Sequence, residues 1–205
     1  MSARVPHKVA VAFPACTVVV NYRDGRTRLY ASLGPGFGDD VLVVHHQDDI
    51  PSWGTVDVPA ALESVPHAPL RWRLGAVPAL AVTAAVAALG ARQARFRRMV
   101  ALATLGRRLR PADKERATDA VRAVRWASRV IPARWACLEQ STAAALLLAA
   151  TGHRAEWRHG VSTDPVRLHA WVADPHGRPV EEPEDTSLYA VTYTPNGPGP
   201  QRSGA

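Results

Sequence analysis

From Cys137 to Gly152 the chain runs for sixteen residues, Cys-Leu-Glu-Gln-Ser-Thr-Ala-Ala-Ala-Leu-Leu-Leu-Ala-Ala-Thr-Gly, with no proline and no glycine before the last position. Alanine and leucine are strong helix formers, and glycine readily takes the left-handed conformation that ends a helix. The run therefore predicts a helix with Cys137 in its first turn and Gly152 closing it. A cysteine placed there sits beside unpaired backbone N–H groups and the positive end of the helix dipole, both of which favour thiolate over thiol. Such a residue is either an activated nucleophile or a small buried core group, and the rest of the sequence has to decide.

His169 opens His-Ala-Trp-Val at the centre of a predicted strand, where apolar alternation does not ordinarily place an imidazole. Glu181 and Glu182 follow twelve and thirteen residues later on a predicted return strand. A cysteine on a helix, a histidine on the strand packed against it and an acid on the neighbouring strand make a nucleophile triad in the order Cys, His, acid. In it His169 takes the thiol proton and later gives it to a leaving amine, while the acid fixes the imidazole tautomer. The alternative role for His169 is that of a satisfied core histidine.

The 205 residues suit one domain, or one catalytic domain with a small module. Hydrophobic residues at 47% against 21% charged suffice for a core and exclude a wholly disordered chain. The formal charge is +7, yet between Arg92 and Arg134 there are 13 basic and 3 acidic side chains, so the basicity belongs to one segment. Exposed arginines on its helices serve as a solvated face or hold an acidic ligand. Two cysteines, Cys16 and Cys137, allow one disulfide but exclude a cysteine-rich zinc site. Lys8 and Pro14 leave the apolar N-terminal stretch too short for a signal-peptide core, so the chain is read as cytoplasmic.

Val9 to Tyr30 predicts a β-hairpin turning at Asp24-Gly25, and Val41 to Val44 a third strand. Composition changes at Leu70, which divides a β-rich module over 1–69 from a catalytic region over 70–194. Val77 to Leu109 predicts one or two helices, with Ala76 to Ala91 a buried core helix rather than a span, since a bilayer needs ~20 apolar residues. Pro111 to Ser128 predicts a third helix with Pro111 in its first turn. Beyond the cysteine helix, Arg154 to Val161 and Leu168 to Ala173 predict strands, the second returning through Asp174–Gly177 to Arg178–Val180. Residues 195–205 have nothing to bury and predict a flexible tail. The fold class that follows is α+β.

Cys137-Leu-Glu-Gln-Ser141, the Leu-Leu-Leu-Ala-Ala-Thr-Gly152 after it, Gly160-Val-Ser-Thr-Asp-Pro165, His169-Ala-Trp-Val172 and Pro179-Val-Glu-Glu-Pro183 together resemble the lasso peptide biosynthesis B proteins. These are transglutaminase-like, papain-like cysteine proteases that remove the leader from a lasso precursor. The resemblance covers roughly 111–193 and implies cleavage of the leader–core amide. A separate ATP-consuming macrolactam synthetase then closes the ring on the freed core. It implies a peptide partner and no nucleic acid, no cofactor and no metal. The nucleophile falls on Cys137, the base on His169 and the acid on Glu182. In the family a Glu commonly follows His-Ala-Trp-Val, where this chain has Ala173, and the turn Asp174–Gly177 is one residue longer. Glu181, on the other face of a strand, and Asp174, at a solvent-facing turn, are the alternatives for the third member.

The β-rich N-terminal half resembles the family's longer members, in which a winged-helix-like element binds the leader by strand addition; here it either does so or only covers the protease core. Trp135 and Trp171 flank the candidate residues as cleft lining or packing. His45-His46 with Asp48-Asp49 lacks the ligand spacing of a structural zinc site. Two other functional classes fit the same features: a non-catalytic binding module with Cys137 buried, and an acyl transferase that passes the acyl group to an amine.

Overall fold

The computed structural model describes residues 6–32, 40–46, 67–163 and 165–200 and is an α+β structure, with helices packed against two antiparallel-dominated sheets. The N-terminal sheet is built from β1 (Lys8–Ala12), β2 (Thr17–Asn21), β3 (Thr27–Tyr30) and β4 (Val41–His45) in the order β3-β2-β1-β4. The Asp24-Gly25 turn joins β2 to β3 as expected, with the Arg26 N–H bonded to Asp24 Oδ1 at 3.0 Å. The apolar residues before Pro14 form a strand of their own, and β4 pairs parallel to it.

The helical layer comprises α1 (Leu70–Ala88), α2 (Arg95–Ala103), α3 (Lys114–Val130) and α4 (Cys137–Ala150), with the short β5 (Arg110–Pro111) between α2 and α3. Helix α1 starts six residues earlier than its most apolar stretch, and only one face is buried, through Trp72, Ala76, Ala79, Leu80 and Thr83. Leu70, Leu74, Val77 and Val82 remain exposed on the other. By length and composition alone α1 is apolar enough to cross a membrane; its buried face packs on α3 and α4. Pro111 does not start α3. It pairs in β5 with β6 (His153–Arg154), and Asp113 caps the helix instead, its Oδ1 accepting the Arg116 N–H at 2.8 Å. A carboxylate can satisfy an orphan helix N–H, which proline cannot.

The second sheet contains β7 (Glu156–Ser162), β8 (Arg167–Ala173), β9 (Ala190–Thr194) and β10 (Gly197–Pro198), ordered β10-β9-β7-β8. Helix α4 lies against β8 and β7, and its Ala143, Ala144, Ala145, Leu147 and Leu148 enter the core with Trp157, Val161 and Val172. Full burial of a side chain such as Leu148 stabilises by ~2–3 kcal/mol. Gly152, at φ +79°, closes the helix. The chain after β8 makes only one bridge, Ala173 to Pro179, before leaving the sheet, so the expected return strand is absent. β8 is therefore the edge of this sheet, and β9 lies on the far side of β7. The expected flexible tail is also corrected as far as residue 200: Gly197–Pro198 pair with β9, and Pro195 and Gly199 are buried. Val9, Val18, Val20 and Tyr22 share one core with the helices and second sheet.

Candidate active site

Cys137 is the first residue of α4, and its N-cap is Ala136, which has no side-chain acceptor to occupy the first-turn N–H groups. Glu139 secures the entry from below: its Oε2 accepts the Ala136 N–H at 3.2 Å and it pairs with Arg95. The Leu138 N–H is thereby left for the Cys137 sulfur, which the Ala170 N–H on β8 also reaches. Both cysteines are free, so the possible disulfide does not form.

His169 lies in β8 opposite Gly160 of β7. Its ring stacks on Trp171 at 5.7 Å between centroids and 13° between planes, and Tyr189 packs against both rings, 5.4 Å from the imidazole and 6.1 Å from the indole. Trp171 occupies that position because Gly160 has no side chain. A Cβ on Gly160 would come within 2.8 Å of the indole and 3.0 Å of the Ala190 carbonyl oxygen. The imidazole Nε2–H donates to Glu182 Oε2 at 2.9 Å, which leaves Nδ1 to face the Cys137 thiol, to which the ring is also hydrogen-bonded.

Glu182 reaches the histidine by a route the strand expectation excludes. Val180 is the last residue bonded back to β8, through its N–H to the Val172 carbonyl at 3.0 Å. Glu181 then takes φ +56°, a left-handed conformation that reverses the chain and suspends the alternation of side chains. Both carboxylates therefore face α3. Arg122 donates to Glu181 Oε1 at 3.0 Å and Arg125 to Glu182 Oε1 at 2.9 Å, from positions three residues apart on one helix face. Glu182 thus holds Arg125 with one oxygen and His169 with the other. Asp174, expected to face solvent, is buried, and it accepts the His176 and Arg178 N–H groups at 2.9 Å each, fixing the turn well apart from the histidine's bonding.

Charge at the site follows from these contacts. Burial pushes the Cys137 thiol up, but the His169 hydrogen bond, the Ala170 and Leu138 N–H groups and the imidazolium charge outweigh it, and the thiol lies below its ordinary value. Burial likewise opposes a charged His169, yet the bonds to Cys137 and Glu182 and their charges raise it to about 9. Both shifts favour the thiolate–imidazolium state over the neutral pair, with Glu182 balancing the cation. Cys16 has no such partner, and burial alone raises it.

The structure brings Cys137, His169 and Glu182 together and leaves Asp174 outside. Arg122, Arg125 and Tyr189 were not singled out by sequence reasoning, and Gly160 entered only as the start of a motif. The arginine pair was legible only as an i, i+3 repeat on α3, and nothing local marks its two carboxylate partners 57–59 residues away. Trp171 stands beside the site, whereas Trp135 packs against the core and donates to the Ile131 carbonyl at 3.4 Å. His46 packs edge-on against Phe13, and Asp48 and Asp49 lie outside the described residues.

A sheet-edge histidine, a helix-start cysteine and a carboxylate thus meet in one site. The profile of the transglutaminase-like superfamily matches residues 79–194, from within α1 to the end of β9, and the chain belongs to that superfamily, whose members are typically enzymes of the cysteine-protease kind. Its range of activities covers cysteine proteases and acyltransferase-type enzymes. No curated protein and no solved structure matches the chain.

Proposed function

We propose that the protein is a cysteine peptidase that cleaves the leader from a lasso peptide precursor. The observation that carries the reading is the hydrogen-bonded series Cys137, His169, Glu182, with the thiol held low and the imidazole high. The thiolate of Cys137 attacks the carbonyl carbon of the scissile amide, and the N–H groups at the start of α4 stabilise the developing oxyanion. The His169 imidazolium gives its proton to the leaving nitrogen, the C–N bond breaks, and the leader remains as a thioester on Cys137. Neutral His169 then removes a proton from water, whose oxygen attacks the thioester carbon; the C–S bond breaks, releasing the leader carboxylate and restoring the ion pair. Glu182 keeps the ring oriented throughout and balances its charge.

The lasso assignment is supported by the ordered resemblance of the five motifs between Cys137 and Pro183. The freed core amine would pass to an ATP-consuming macrolactam synthetase, and the leader would pair with an edge of the N-terminal sheet, β3 or β4. The test is cleavage of a synthetic leader–core precursor followed by mass spectrometry. Cys137→Ala is expected to abolish cleavage and Cys16→Ala to leave it intact; equal loss in both, with folding unchanged by circular dichroism, would contradict the assignment.

A further inference from the structure

We propose that an open cleft on the far edge of the second sheet from His169 binds an acidic segment of the peptide substrate. The inference rests on the reading of the chain as a peptidase and adds where, and by what charge, its substrate is held. The cleft has a volume of about 960 Å³ and is walled by three separate stretches of chain: the start and end of the β1–β2 hairpin, α2 with the turn after it, and the segment from β9 to β10. Arg23, Arg97, Arg107, Arg108 and His7 line it, and among the described residues no acidic side chain does.

Several arginines of the basic segment are already engaged within the chain. Arg95, Arg116, Arg122 and Arg125 are committed to carboxylates of this chain, and Arg98 donates to the Val86 and Ala91 carbonyls. Arg97, Arg107 and Arg108, with Arg23 from the N-terminal sheet, pair with no carboxylate among the described residues, and they converge on one concavity. The wall behind them is rigid. Tyr22 is buried, with its hydroxyl 2.7 Å from His159 Nδ1 and 2.6 Å from Thr192 Oγ1, and it packs on Tyr193 at 4.7 Å. Cations around an aromatic floor match carboxylates spaced along an extended chain.

A nucleic acid is the poorer fit. Arg95, Arg116, Arg122, Arg125 and Arg98 are taken up within the chain, and the cleft is bounded by the β9–β10 turn, which interrupts a backbone track. Three strand spacings of ~4.8 Å separate β10 from β8, a distance that an extended peptide covers in about five residues. The acidic segment therefore lies at least about five residues from the bond presented to Cys137.

The test uses the full chain carrying Cys137→Ala and fluorescence polarisation of labelled twelve-residue peptides of repeated Glu-Gly-Ser and of repeated Gln-Gly-Ser, with a twelve-nucleotide oligothymidylate as comparison. The glutamate peptide is expected to bind at least about tenfold more tightly than the glutamine peptide, less tightly as salt rises, and about tenfold more weakly to the Arg97→Gln/Arg107→Gln protein. Arg26→Gln/Arg28→Gln, on the outer hairpin, is expected to change nothing. Equal binding of the two peptides, insensitivity to the Arg97/Arg107 change, or tighter binding of oligothymidylate at the same residues would overturn the proposal. No cleavage is needed for this measurement. A protein that cuts precursor but ignores the glutamate peptide overturns the cleft alone, and one that binds the peptide but never cuts overturns the peptidase reading on which the substrate's identity depends.

Discussion

His169 and Glu182 lie thirteen residues apart and are joined by a 2.9 Å hydrogen bond, although no strand carries the glutamate. The bond exists because Glu181 turns the chain left-handed one residue earlier and Arg125 holds the second carboxylate oxygen. Glu182→Gln keeps the shape and one acceptor but removes the charge that balances imidazolium. Turnover of a leader–core peptide is expected to fall by ~10²–10⁴-fold. Glu181→Gln weakens only a part-exposed pair with Arg122, and its effect is expected to stay within about fivefold. The reverse ranking in kcat/KM would assign the acid to Glu181.

The opposite displacements of Cys137 and His169 make pH a direct probe. Because the two titrate as a pair, apparent values belong to both. Alkylation of Cys137 by iodoacetamide is expected to be faster at neutral pH than that of an ordinary thiol and to slow as acid protonates the sulfur. Cleavage is expected to fall on that acid side and again as pH rises through about 9, where His169 loses its proton. His169→Ala should move the alkylation midpoint up towards that of an ordinary thiol, and Cys16 should react more slowly than one. A rate flat from pH 5 to 9 would contradict the ion pair.

His159 is buried between the two sheets, and burial, with a smaller contribution from His169, lowers it to about 3. Unfolded, it titrates near 6.5. The folded state therefore gains full stability from a neutral His159 above about pH 6.5 and loses it progressively as pH falls towards 3, by up to ~5 kcal/mol. His159→Gln is expected to be less stable at pH 7, since the Tyr22 hydroxyl loses its ring nitrogen, but to lose less on acidification. Urea midpoints at pH 7 and 4.5 measure both effects.

Gly160→Ala would drive a methyl group against Trp171 and the Ala190 carbonyl, in a place where neither can withdraw cheaply. A loss of ~1–3 kcal/mol in stability is expected, with a fall in kcat as the indole displaces the stacked His169. Thermal melting and single-turnover cleavage would separate the two. An unchanged melt would show that Trp171 repacks freely.

The cysteine helix and histidine strand were legible because each is set by local rules: breaker-free alanine and leucine closed by glycine, and β-branched and aromatic residues between turns. The contact of Glu182 with His169 was legible but its route was not, because strand alternation assumes extended backbone, and one residue at φ +56° cancels it. Asp174 was misplaced for the opposite reason. A turn residue is usually solvated, yet here the turn packs inward and its carboxylate is consumed by N–H groups and Arg178. The pairing of Gly197–Pro198 with β9 depends on a tertiary neighbour, and a stretch rich in glycine and proline carries no periodicity to reveal it.

The claim on which the rest depends is that Cys137 forms an acyl intermediate that water resolves. Precursor peptide incubated with the protein in H₂¹⁸O and analysed by mass spectrometry tests it directly. The expected products are a leader fragment carrying ¹⁸O in its new carboxyl group and a core with a free amine, both absent with Cys137→Ala. Cleavage that persists in Cys137→Ala, or a leader joined to an added amine with no ¹⁸O uptake, would contradict it.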